Sequence, residues 1–111
     1  MSGIERISAE RQRQIEEEGW SANHDDLHDR FQLSNAAIAY LNPSNSDHVR
    51  KFWPWDWKWW KPVRASMDVP YEVAQIRNLV KAGALIAAEI DRLERSTASN
   101  KVLQPTENHG G

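Results

Sequence analysis

The feature that most constrains the fold of this chain is an aromatic segment, residues 52–62, which holds five of the six tryptophans within eight positions. Four of the indoles recur with period two, so an extended segment would place them on one face, whereas a helix would scatter them; they are Trp53, Trp55, Trp57 and Trp59. Each indole can bury on the order of 200 Å² and carries an N–H that needs a partner. The segment therefore forms the centre of the core, or a wall for a ligand, or both.

Length and composition restrict the classes of protein to which the chain can belong. Its 111 residues are enough for one domain with a small core. The net charge of −2 gives no general attraction to duplex nucleic acid or to an acidic membrane. Cysteine is absent, which excludes disulfides, thiolate metal sites and cysteine nucleophiles. The sequence shows no signal peptide and no apolar stretch of membrane-spanning length, so we expect a cytoplasmic protein.

Three segments have the composition and periodicity of helices. Residues 4–18 are good helix formers with a thin face of three isoleucines, and Gly19 is placed to end the helix. In residues 32–41 an apolar stripe recurs at helical spacing, at Leu33, Ala36, Ala37, Tyr40 and Leu41. In residues 70–95 a broader apolar face is typical of a central helix; it comprises Ile76, Leu79, Val80, Gly83, Ala84, Ile86, Ala87, Ile90 and Leu93.

The sequence thus predicts a mainly α fold, a small three-helix domain with an irregular or short β-like tryptophan segment packed across it. The domain covers residues 1–95, and residues 42–51 are expected to be a surface loop. The polar residues 96–111 are expected to form a disordered tail. So small a core is expected to leave an apolar patch uncovered, which favours a homo-oligomer.

A polar loop after the first helix, residues 20–29, is dense in groups that bind metals, cap helices or titrate near neutral pH. His24 and His28 have the spacing of metal ligands on a helix, with Asp25 and Asp26 between them. No dedicated metal motif is present, and capping is the commoner role for acidic residues before a helix. The loop is therefore a candidate ligand site, and we assign no metal or cofactor to it.

Several short motifs are distributed over residues 5–95. They are Glu10-Arg11-Gln12, Glu18-Gly19-Trp20, His24-Asp25-Asp26 with His28, Trp53-Pro54-Trp55-Asp56, Trp59-Trp60-Lys61-Pro62, Leu79-Val80-Lys81-Ala82-Gly83-Ala84-Leu85-Ile86, Ala88-Glu89-Ile90 and Arg92-Leu93. Together they resemble a family of small, uncharacterised proteins encoded in tailed-phage and prophage genomes. The resemblance implies a phage protein that works in the cytoplasm of a host cell, and it implies no catalytic residues.

A second resemblance rests on fewer residues. Gly19-Trp20 after a charged helix, the Asp and His cluster, and a closing helix that contains lysine are similar to the ryanodine-receptor-type repeat domain. In this chain the Gly-Trp pair is not followed by the Tyr-Gly pair of that domain.

The phage resemblance and the aromatic segment together favour a non-catalytic binding protein. As the resemblance implies, such a protein could sequester a nucleotide-derived immune signal or block a host defence protein. Indoles of the segment could stack a base, and cationic side chains after it could bind phosphate oxygens. The candidate ligand-binding residues are Trp55, Trp57, Trp59, Lys61, Arg64, Arg77, His24, Asp25, Asp26 and His28.

The alternative is an enzyme, a metal-dependent nucleotide pyrophosphohydrolase of the all-helical kind, in which paired carboxylates on facing helices hold Mg²⁺. The available carboxylates are Glu17, Glu18, Asp25, Asp26, Glu89 and Asp91. Their spacing is poor for this role, because Glu89 and Asp91 lie two positions apart on one helix and point in different directions.

Overall fold

The computed structural model describes the backbone of residues 1–103 and the side chains of residues 1–98, and within these ranges the chain is mainly helical and has no strand. The helices are α1 (Gly3–Glu18), α2 (Ala22–Asp26), α3 (Gln32–Leu41), α4 (Ser46–Phe52) and α5 (Tyr71–Leu103), with a 3-10 turn at Trp57–Trp59 between α4 and α5. The predicted mainly α fold class is confirmed. Helix α5 continues past the expected end at Arg95, and residues 104–111 of the predicted tail lie outside the described residues. None of the described helices is both long enough and apolar enough to cross a membrane.

Short-range hydrogen bonds set the ends of the helices. Helix α1 begins with a capping box in which the Ser2 hydroxyl accepts from the Glu5 N–H and the Glu5 carboxylate accepts from the Ser2 N–H. It ends at Gly19, whose φ of 72° is in the left-handed region that favours glycine. The Asn45 side chain caps α4 by accepting from the His48 N–H at 3.1 Å, so the expected surface loop over residues 42–51 is wrong for residues 46–51. Its Ser and Asn residues start a helix there.

The core lies between α3 and α5, with α4 and the start of the aromatic segment closing one side. Helix α5 is central, because it contacts α1, α2 and α3. The buried cluster consists of Leu33, Ala36, Ala37, Ala39 and Tyr40 from α3, Val49 from α4, Trp53, and Ala82, Leu85 and Ala88 from α5. Small side chains dominate on both helices, which lets their backbones approach closely.

Helix α5 does not bury the face that its periodicity predicts. Five large aliphatic side chains of that face are between 44% and 51% exposed; they are Ile76, Leu79, Ile86, Ile90 and Leu93. The buried side instead carries alanines and Leu85, together with two buried polar residues, Asn78 and Glu89. The prediction of the core-facing side was therefore wrong for these five side chains, although Ala84 of the same predicted face is fully buried. The alanine face admits α3 more closely than a face of bulky side chains could.

Helix α1 packs against α5 with a close contact at Gly83. A Cβ atom at Gly83 would lie 2.6 Å from Cδ1 of Ile7, so the glycine makes room for this isoleucine. The other two isoleucines of the predicted face are exposed, Ile4 at 82% and Ile15 at 36%. The buried residue of α1 is instead Gln14, which lies on a polar face of the helix.

The aromatic segment is irregular rather than β-like, and its indoles do not share one face. Trp53 is buried at the end of α4, whereas Trp57 and Trp59 are exposed. The Asp56 side chain accepts from the Lys58 N–H at 2.9 Å and starts the 3-10 turn, which breaks the two-residue alternation. Beyond Pro62 the backbone of Val63 pairs with the buried Asn78, whose side chain accepts from the Val63 N–H and donates to the Val63 carbonyl, both at 2.8 Å.

Candidate ligand-binding site

A cleft of about 700 Å³ lies between α1 and the aromatic segment, which is within the usual size range of small-molecule sites. Helix α1 contributes Glu10, Arg13, Gln14, Glu17 and Glu18, the region of α2 contributes Trp20, His24 and His28, and the aromatic segment contributes Trp55, Asp56, Trp59 and Lys61. Tyr40 of α3 and Lys81 and Leu85 of α5 also line it. The cleft therefore combines an aromatic wall with a charged wall.

The aromatic wall is continuous with the core. Trp53 packs against Tyr40 and Trp60 in the core, and its ring lies 5.3 Å from that of Trp55. Trp55 in turn lies 6.0 Å from Trp20 and 5.2 Å from His28, measured between ring centroids. Trp55 thus joins the buried aromatic cluster to the cleft, so the segment serves both as core and as wall.

The charged wall is organised by Arg13. Its guanidinium bonds both carboxylate oxygens of Glu10 at 2.8 Å and reaches Glu17 and Glu18 at 3.3–3.4 Å. Burial acts to raise the pKa of Glu10, but the hydrogen bond from Arg13 and the charges of Lys81 and Arg13 outweigh it, so the pKa lies below its ordinary value. Glu10 is therefore ionised at neutral pH and presents a carboxylate to the cleft.

A buried ion pair holds the loop between α1 and α3 against α1. The Arg11 guanidinium donates to the Asp25 carboxylate at 2.6 Å and to the Trp20 carbonyl at 3.2 Å. Asp25 is fully buried. This pair fixes both Trp20 and the start of α2, and so it places the aromatic side chains that line this end of the cleft.

Two histidines face the cleft beside Trp20 and Trp55. His24 stacks parallel to Trp20 at 5.9 Å, and His28 meets His24 edge to face at 4.7 Å. Burial, and then the neighbouring His24, lower the pKa of His28 below its ordinary value of 6.5, while Asp25 opposes this shift. His28 is therefore neutral at pH 7. Its ring then has one nitrogen that can donate a hydrogen bond to a ligand and one that can accept.

The lowered pKa of His28 predicts a stability that declines in weak acid. As pH falls below about 6.5, the unfolded chain takes up the proton at this site before the folded chain does. The stability that neutral His28 contributes is therefore fully present above that pH. It is lost as the pH falls through the pKa that His28 has in the folded protein. We expect the melting temperature of the wild type to fall more than that of His28→Asn between about pH 7.5 and 5. Equal losses in the two proteins would contradict this assignment.

The structure brings five of the ten predicted site residues together in the cleft: His24, His28, Trp55, Trp59 and Lys61. The other five lie elsewhere. Asp25 of α2 is buried against Arg11, and Asp26 pairs with Arg95 at 2.7 Å. Trp57, Arg64 and Arg77 are exposed and do not line the cleft.

Sequence reasoning missed most of the contribution of α1, because it considered Glu17 and Glu18 only as metal ligands of the enzyme alternative. Glu10, Arg13, Gln14 and Glu17 recur at i, i+3, i+4 and i+7, which is the spacing of one helical face. The signal that could have found them is the thinness of the apolar face of α1, because a helix with so few apolar side chains must turn a polar face inward. Tyr40 and Lys81 were missed because they come from helices far away in the sequence.

Comparisons of the chain with known protein families, with curated proteins and with solved structures find no match. The interpretation of the cleft therefore rests on its own chemistry.

Most of the carboxylates that the enzyme alternative requires already form ion pairs with arginines in the structure. Apart from Asp91, each lies within 3.4 Å of an arginine; the pairs are Glu17 and Glu18 with Arg13, Asp25 with Arg11, Asp26 with Arg95, and Glu89 with Arg92. Within residues 1–98, no group of three or more His, Asp or Glu side chains is arranged to hold a metal ion. The cleft can stack an aromatic ring and accept hydrogen bonds, and its lining places three cations, Arg13, Lys61 and Lys81, beside four carboxylates, Glu10, Glu17, Glu18 and Asp56.

Proposed function

We propose that the protein is a non-catalytic binder of a nucleotide-like small molecule, held in the cleft between α1 and the aromatic segment. In the phage setting that the sequence resemblance implies, it would act by sequestering a nucleotide-derived signal of the host. The observation that carries the proposal is a buried hydrogen-bond acceptor without a partner among the described residues, Oε1 of Gln14, a residue that lines the cleft.

Gln14 is 2% exposed, and its amide donates to Glu10 at 3.2 Å. Its carbonyl oxygen is left without a donor, which costs roughly 1–3 kcal/mol for a buried polar group. A ligand N–H would remove this cost. The exocyclic amino groups of adenine, guanine and cytosine are donors of this kind.

The aromatic wall supplies the second element of nucleobase recognition. Trp55 and Trp20 line one part of the cleft, and Trp59 lines its exposed edge. Stacking of a base on an indole contributes roughly 1–3 kcal/mol and tolerates any base. Selection among bases then falls to the acceptors on α1.

A cation at the edge of the cleft supplies the third element. Lys61 is exposed, and its ammonium lies 5.8 Å from the centroid of the Trp59 ring. Lys81, by contrast, is held 3.8 Å from Glu10 inside the cleft. A nucleotide fits this polarity with its base toward the acceptors of α1 and its phosphate toward Lys61.

The 3-10 turn offers a matched pair of tryptophans that tests the proposal. Trp59 lines the cleft and Trp57 does not, yet their exposures are 55% and 52%. We expect Trp59→Ala to weaken nucleotide binding about tenfold or more, the loss that follows from removing one stacking contact. Trp57→Ala should leave the affinity unchanged, and neither variant should lower the melting temperature much. Isothermal titration with mononucleotides, dinucleotides and cyclic dinucleotides is the measurement.

The ligand itself is best identified from the protein expressed in bacteria with active defence systems. The purified protein is denatured, and the released small molecules are analysed by mass spectrometry. Recovery of an intact nucleotide supports sequestration, whereas a hydrolysed product would indicate an enzyme. The proposal fails if no nucleotide is released and none of the titrated nucleotides binds, or if Trp57→Ala and Trp59→Ala weaken binding equally.

A further inference from the structure

The outer face of α5 carries an apolar surface that the described part of the chain covers only in part. We call this surface the α5 stripe; it consists of Ile76, Leu79, Ile86, Ile90 and Leu93. Each of these residues is about half exposed. Monomeric soluble proteins rarely expose apolar patches larger than a few hundred Å². Five aliphatic side chains in line on one helix reach that size, so the stripe requires an explanation.

The spacing of the stripe is that of a helix–helix seam. With Gly83 included, its positions are separated by 3, 4, 3, 4 and 3 residues, which is the a and d pattern of a heptad. Ile7 of α1 packs against Gly83, so an aliphatic side chain is present beside this position too. Polar residues continue the same spacing at both ends, Glu72 before the stripe and Thr97 after it. The apolar stripe therefore ends at a polar residue on each side, and a single helix of the same length could pack along it.

The order of the spacings is the same in both directions, so the stripe is complementary to itself when reversed. An antiparallel copy of α5 places Ile76 opposite Leu93, Leu79 opposite Ile90, and Gly83, beside Ile7, opposite Ile86 of the second copy.

The charges at the ends of the stripe distinguish the two possible orientations. In the antiparallel pair Glu72 faces the uncharged Thr97 of the second copy. In a parallel pair two Glu72 carboxylates would meet at the same end of the seam, and like charges placed opposite each other repel. The charge pattern therefore favours the antiparallel alignment.

The flanking helix α3 extends this surface into a groove. Ile38 and Leu41 of α3 line a depression of about 290 Å³ together with Ile86 and Ile90. These side chains add to the stripe, and a two-fold interface doubles the area, which brings the total toward the roughly 1,200–2,000 Å² of stable interfaces.

From this self-complementarity, area and charge pattern, we infer that the protein is a homodimer in which the α5 stripes of two copies pack antiparallel about a two-fold axis near residues 84 and 85. The groove that extends the stripe shares no lining residue with the cleft. The dimer is therefore independent of the proposed function, and it carries two separate clefts.

Mass measurement of the full chain by light scattering, over a range of micromolar concentrations, is the first test. We expect a dimer, and we expect Ile90→Glu to weaken it by about 30-fold or more, the effect of losing one interface hot spot. Met67→Glu is the control, because Met67 is fully exposed in a loop outside the stripe. Circular dichroism should show unchanged helix content in both variants. A monomeric wild type, or a dimer that Ile90→Glu leaves intact, overturns the inference.

Because the chain has no native cysteine, disulfide trapping tests the antiparallel register directly. Leu79→Cys and Ile90→Cys proteins are mixed and oxidised. In the proposed register the thiol introduced at position 79 faces the thiol at position 90 of the second copy, whereas two thiols at position 79 lie about 16 Å apart along the axis, too far for a disulfide. We expect the mixed Leu79→Cys and Ile90→Cys dimer to form. Efficient cross-linking of Leu79→Cys with itself would show a parallel pair and overturn the register.

Discussion

Replacement of Trp53 by alanine is expected to lower the free energy of unfolding by about 3–5 kcal/mol, the range found for large aromatic residues removed from a core. Trp53 is 7% exposed, packs against Tyr40, Trp55 and Trp60, and donates its indole N–H to the Asp56 carbonyl at 3.2 Å. A loss of this size approaches the whole stability of a small domain. Urea unfolding followed by circular dichroism is the measurement.

Trp57→Ala is the matched control for this experiment. Trp57 belongs to the same aromatic segment, but it is half exposed and outside the buried cluster. We expect its replacement to change the free energy of unfolding by less than about 1 kcal/mol, as for other surface positions. Similar losses for the two variants would show that the segment is stabilised as a unit rather than through Trp53.

The second large effect is expected at Asp25. Asp25→Ala removes the partner of Arg11, a guanidinium that is 13% exposed, and leaves its charge buried without compensation. Breaking a buried pair in this way costs about 3–5 kcal/mol. Because the pair also holds Trp20 through its carbonyl, we expect ligand affinity to fall together with stability. Thermal unfolding and nucleotide titration of the same sample measure both effects.

The next residue in the sequence provides the control for Asp25. Asp26 pairs with Arg95, but its side chain is 45% exposed and that of Arg95 is 36% exposed. An exposed pair of this kind contributes between 0 and about 1 kcal/mol, so Asp26→Ala should be nearly neutral. If the two aspartates prove equally costly, the burial of the Arg11–Asp25 pair is not the source of the effect.

The helices were predictable from the sequence because their signals are local. Apolar periodicity located the three long helices, and Gly19 ended the first of them as expected. The short helices α2 and α4 were missed, because each begins at a Ser or Asn cap in a polar stretch that composition alone describes as a loop.

The orientation of α5 could not be predicted from its periodicity alone. Two faces of this helix are apolar, one rich in alanine and one rich in isoleucine and leucine. Hydrophobicity favours the second face for the core, whereas close packing against the alanines of α3 favours the first. Which face of α5 packs against the core depends on the shape of the partner helix and on whether a second copy covers the other face. The sequence of α5 alone gives neither.

The site was half predictable for a related reason. Aromatic and histidine residues stand out by rarity, so the sequence pointed to Trp55, Trp59 and His28. The polar side chains of α1 have an ordinary composition for a surface helix, and only the fold shows that Gln14 is buried. The two-residue alternation of the indoles wrongly predicted that they share one face, because the Asp56 cap turns the chain in the middle of the segment.

The amide of Asn78 has a consequence for the length of the aromatic segment. The amide accepts a hydrogen bond from the Val63 N–H and donates one to the Val63 carbonyl, as a peptide group would. These two bonds fix the position of Val63 and of none of its neighbours. Trp53, buried at the other end, fixes the start of the segment. Trp60 is a third anchor, because it packs against Trp53 and Tyr40. The register of the residues between the anchors is therefore set by the separation of the anchors in the chain. Inserting or deleting one residue there would exchange the indole at the cleft for its neighbour, so the number of residues, and not only their aromatic character, determines the site.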